Sequence, residues 1–191
     1  PVANRFIHLT VEPDYDSFRD YAARQGLHER IQAFLAFRPG LLFKMGKGQV
    51  AFPSPRSWEK ASELHAAGLD IAPAVGDGVA GEFTSFLTTY DRLPDLNRIL
   101  RGNGTDLAFP DEPSVRYAMT VGLSSRVEDA SQAIHAMQWL MGGAGDEFVQ
   151  MYVQNVAAVL REQGQFGQFM SRLDGQDEAA TFVSNMSMLE V

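Results

Sequence analysis

Two arginines stand in settings where a cation can do chemistry. Arg56 follows Ser54-Pro55 and precedes Trp58. Ser54 is a good helix cap and Pro55 suits the first helical position, so a helix is expected to begin there. The Arg56 guanidinium and the backbone N–H groups of that helix start would point the same way, and together could meet a phosphate. Arg5 lies between Asn4 and the apolar run Phe6-Ile7-His8-Leu9-Thr10-Val11. At the leading edge of a strand it could reach across a subunit boundary to a neighbour's nucleotide, as arginine fingers do. The plainer readings are an exposed arginine packing on Trp58 and a solvated charge.

Other reactive groupings are weak or absent. No Gly-x-x-x-x-Gly-Lys-[Ser/Thr] loop is present, and Gly46-Lys47-Gly48 has the wrong spacing to cradle phosphates. His8, His28, His65 and His135 form no His-x-x-x-His or His-Glu-x-x-His pair, so no zinc site is expected. The acidic neighbours Asp111/Glu112 and Asp146/Glu147 fall where loops turn into helices, and there they read as caps or solvated charges rather than as a hydrolase pair.

The elements that must hold these residues are mostly helical. Alternation and β-branched content predict one strand over 6–11, stopped by Glu12-Pro13. A lone strand needs neighbours for its backbone groups, so partners are expected in a segment preceding Pro1. Helices are then expected after Asp14, over about 28–37, and from Ser54. Others should run through Val79, Phe83, Phe86, Leu87 and Tyr90, through Val115/Met119, through Ile134/Met137/Leu140, through Phe148 to Leu160, and through Phe166/Phe169/Met170. The expected fold is all-α, a bundle of about eight to nine helices with one short orphan N-terminal strand. Residues 102–113, rich in Gly and Pro, are the best internal boundary by composition.

Composition sets outer limits. The chain has 191 residues, 45 % of them hydrophobic, which is enough for a sizeable core. Its 24 acidic against 16 basic side chains give a formal charge of -8, which opposes general binding to nucleic acid or anionic membranes. It has no cysteine, and no window approaches the roughly 18 to 20 apolar residues of a membrane span. A cytoplasmic location is expected.

Several segments carry a resemblance: Ala3-Asn4-Arg5-Phe6-Ile7-His8-Leu9, Glu12-Pro13-Asp14, Phe34-Leu35-Ala36-Phe37-Arg38-Pro39 and Ala51-Phe52-Pro53-Ser54-Pro55-Arg56-Ser57-Trp58-Glu59. In this order over about residues 1–65 they resemble the end of a MoxR-like AAA+ ATPase. The resemblance implies that residues 1–12 are the last strand region of an AAA+ core, 13–67 a helical lid with the sensor-2 helix, and 68–191 a C-terminal helical extension. It implies that Arg56, presented by Ser54 and Pro55, is the sensor-2 arginine touching the γ-phosphate, and that Arg5 is an arginine-finger candidate. It also implies ATP and Mg in a longer parent, with none expected for this chain alone, which lacks Walker A and Walker B. The implied partners are neighbouring subunits in a ring, a hexamer in the parent, and a client protein that the sequence does not identify. The competing expectation is a free-standing all-helical protein-interaction module with no nucleotide chemistry.

Overall fold

In a computed structural model the chain is described at residue 7 and over residues 12–46, 48 and 50–173. Arg5, His8, Lys47 and, apart from Ile7, the expected strand lie outside the described residues. Those described are all-helical, with ten α-helices and no strand. In chain order these are α1 (Tyr15–Arg24), α2 (Glu29–Phe37), α3 (Pro55–Ala66), α4 (Ala72–Val75), α5 (Asp77–Tyr90), α6 (Leu96–Leu100), α7 (Pro113–Ser125), α8 (Ala130–Met141), α9 (Asp146–Glu162) and α10 (Phe166–Leu173). None is long and apolar enough to cross a membrane.

Local chemistry sets most helix starts. Asp14 accepts from the Ser17 N–H at 2.8 Å, and Asp129 accepts from the Ser131 and Gln132 N–H groups at 2.7 and 2.9 Å. Each satisfies donors that the first helical turn leaves without partners. Two short helices were not expected from the sequence. Pro73 is the second residue of α4 and starts a helix where it was read as punctuation. The five residues of α6, capped by Asp95, are too few to show a period.

The apolar faces collect into two cores. One joins α1 to α5, centred on Phe34, Trp58, Phe83 and Phe86, and is completed by Ala118 and Val121 of α7. The other joins α6 to α10, around Met119, Leu123, Met137, Tyr152, Leu160 and Phe169. α7 therefore belongs to both, and it packs most extensively on α2 on one side and α9 on the other. Gly122 permits this closeness, because a Cβ there would lie 2.8 Å from Leu96 Cδ1 and 3.0 Å from the Tyr90 hydroxyl. A bidentate ion pair spans the same junction, with Arg126 Nη2 and Nε donating to Glu29 at 2.8 and 3.0 Å.

Candidate functional site

The start of α3 is held from three sides. Ser54 and Ser57 form a reciprocal capping box, in which Ser54 Oγ accepts from the Ser57 N–H at 3.2 Å and Ser57 Oγ accepts from the Ser54 N–H at 2.7 Å. The Ser57 hydroxyl lies 2.9 Å from the Phe52 carbonyl, to which it can donate, and this ties the helix to the strap before it. Trp58 is fully buried; its indole N–H donates to the Leu41 carbonyl at 2.9 Å and its ring packs 5.8 Å from Phe34. Serine caps of this kind contribute about 1 kcal/mol. Ser54→Ala is therefore expected to lower unfolding stability by about that much in urea melts, with no loss of helix content at room temperature.

On this base the Arg56 side chain is exposed and makes no hydrogen bond or ion pair with any described residue. It lines a cleft of about 580 Å³ whose walls include Val50, Phe52, Leu64 and Pro73. Lys60, one helical turn on, lines it too and pairs with Glu63 at 2.8 Å. The expectation of several free backbone donors beside Arg56 needs correction. Pro55 has no N–H, the Ser57 N–H is taken by Ser54 Oγ, and the Trp58 N–H bonds the Ser54 carbonyl at 3.0 Å. The Arg56 N–H alone remains, so an anion here would be held mainly by side-chain charge.

The sequence singled out Ser54, Pro55 and Arg56, and Lys60, which shares their cleft, was not among its candidates. The i, i+4 spacing of Arg56 and Lys60 was the available signal, since it sets both cations on one helix face. Arg5, outside the described residues, has no placement relative to them.

The remaining candidates are dispersed. Glu112 precedes α7 and its Oε1 lies 2.7 Å from the Ser114 hydroxyl, Asp111 lies 3.7 Å from Arg116, and Asp146 and Glu147 occupy the first turn of α9. His28 Nδ1 accepts from the Arg30 N–H at 3.2 Å, and its ring meets His65 edge-on at 4.5 Å. Burial, the largest cause for both, holds the two imidazoles below their ordinary value. Among the described residues no group of three or more His, Cys, Asp or Glu could hold a metal ion. Comparison with family models, curated proteins and solved structures finds no match to this chain.

Proposed function

We propose that this chain is the nucleotide-sensing lid and C-terminal helical region of a MoxR-like AAA+ ATPase that couples ATP hydrolysis to remodelling or maturation of partner proteins. The observation that carries this reading is Arg56: an exposed cation without a described partner, on a capped helix whose tryptophan is locked into the core, at the side of an open cleft. A guanidinium so placed is free to follow a ligand without first breaking an ion pair. In the reading, Arg56 meets the γ-phosphate of ATP held with Mg by the parent's core, and lid orientation follows the state of the nucleotide. Arg5 acts on the nucleotide of the adjacent subunit in a ring of six. Lys60 adds a second positive charge along the path of the polyphosphate.

The test is steady-state ATP turnover by the full-length gene product, comparing wild type with Arg56→Ala and Arg5→Ala, with this chain alone as a blank. Loss of turnover of about tenfold or more in either variant is expected, with this chain silent. Circular dichroism of Arg56→Ala should match wild type, because no described contact is lost. Full activity in both variants, or no turnover in the parent, would overturn the reading. A free-standing interaction module would then take its place, favoured by the exposed apolar side chains Phe43, Met45, Val50 and Leu69.

A further inference from the structure

α2 and α3 run antiparallel and are pinned together at two places. At one, Trp58 near the start of α3 meets Phe34 and the Leu41 carbonyl beyond the end of α2. At the other, the His28 N–H donates to Ser62 Oγ at 2.8 Å, and the His28 and His65 rings meet edge-on at 4.5 Å. This second junction rests on the charge state of two histidines. His28 is the N-cap of α2, and its Nδ1 accepts from the Arg30 N–H at 3.2 Å. A backbone N–H can only donate, so Nδ1 holds a lone pair and the neutral ring carries its hydrogen on Nε2. The caps at Asp14, Ser54, Asp95 and Asp129 keep their acceptors near neutral pH, whereas His28 loses its own on taking a proton.

The surroundings oppose a proton on either ring. Both rings are half-buried, and burial is the largest influence holding them below the ordinary histidine value. The charge of Arg30 acts in the same direction on both, and that of His28 does so on His65. Glu29 opposes this at His28 and Asp91 at His65. Those two carboxylates are already engaged, Glu29 with Arg126 at 2.8 Å and Asp91 with Arg30 at 2.6 Å. A protonated His28 would also lie at the positive end of the α2 dipole, with one N–H aimed at another. We propose that His28 and His65 form a proton-operated latch between the start of α2 and the end of α3, closed while both rings are neutral and released when they take up a proton. Release frees the last turns of α3 while Trp58 holds the first. Glu63 and Leu64 of the freed half line the 580 Å³ cleft, so the cleft changes shape with the latch. The latch lies at the end of α3 away from Arg56 and does not depend on the nucleotide reading.

Imidazole ¹⁵N spectra, hydrogen exchange and urea unfolding of the whole chain across about pH 7.5 to 5 test the proposal. Neutral His28 is expected as the Nε2–H tautomer, and both rings should titrate below about 6.5. The folded state then takes up fewer protons than the unfolded one, so stability is full above that value and is lost as the pH falls through the folded values. Corrected for intrinsic rates, the His28 N–H that bonds Ser62 should lose about tenfold in protection over this range, and the Trp58 indole N–H clearly less. His28→Asn keeps a cap acceptor and removes the proton. Its urea midpoint should fall with acid by about half as much as that of wild type or less, and its His65 should titrate closer to the ordinary value. His65→Gln should also reduce the fall, and it decides if His28→Asn does not fold. The response of Glu29 lies below about pH 4.5, outside this range. A neutral His28 protonated on Nδ1, equal loss of protection at His28 and Trp58, a flat wild-type midpoint, or an undiminished acid response in the variants would each overturn the latch.

Discussion

Trp58→Ala is expected to cost about 3–5 kcal/mol of unfolding stability, as truncation of a fully buried aromatic does. The side chain is 0 % exposed and stands between α3 and α2. Its removal leaves a cavity beside Phe34 and takes away the one donor that reaches the Leu41 carbonyl from α3. Domains of this size have about 5–15 kcal/mol to lose, so the variant should melt far below wild type. Trp58→Phe separates the two effects: most of the ring volume stays and the indole N–H goes, for an expected loss of about 1–3 kcal/mol. Urea unfolding followed by circular dichroism measures both. A loss below about 1 kcal/mol for Trp58→Ala would mean that α3 is not held by this side chain and that Arg56 stands on a looser base.

The second large effect concerns the ion pair across the two cores. Arg126→Met leaves Glu29 without its bidentate partner at a position where the carboxylate side chain is only 23 % exposed. Exposed pairs are worth about 1 kcal/mol or less, and removing one member of a buried pair costs about 3–5. Arg126 is itself 34 % exposed. Solvent therefore screens part of the interaction, and about 2 kcal/mol is expected for this intermediate case. The double variant Arg126→Met with Glu29→Gln should recover part of that loss, because the stranded charge is gone.

The pair also sets a pH response. Burial pushes the Glu29 carboxyl up, but hydrogen bonds and charge from Arg126 outweigh it, and the group sits below its ordinary value of about 4.5. A carboxyl depressed in the folded state contributes its full stability above the ordinary value and loses it as the pH falls through the folded one. Wild type should therefore lose stability below about pH 4.5 more steeply than Glu29→Gln. Parallel pH profiles in urea unfolding would show that the pair is energetically silent.

How much of this could be read from the residues depended on how local each cause is. The cap at Ser54 and the stripe of Phe83, Phe86 and Tyr90 in α5 act within a few residues, and both read directly as helix. α7 was harder to read, because Ala118 and Val121 face one core while Met119 and Leu123 face the other. A helix buried on both sides loses the polar face that makes a period visible, so only Val115 and Met119 stood out. At the candidate site, Arg56 was legible as a charge at a helix start. That its neighbours' N–H groups are spent on Ser54 depends on hydrogen-bond geometry that residue types leave open. The burial of Asn155 in α9 carried no signal at all, since a polar residue in a helix reads as surface until its neighbours are known.

The double membership of α7 also bears on how the chain comes off the ribosome. The core of α1 to α5 is closed by Val121, yet its aromatic centre at Phe34 is synthesised long before. At about 5–20 residues per second, the interval between them is roughly 4 to 17 seconds. During that wait the face of α2 that α7 will cover remains open to water and to other nascent chains, and that of α5 joins it once residue 90 is made. The molecule is thus committed to a late, cooperative closure, and its vulnerable period is its birth.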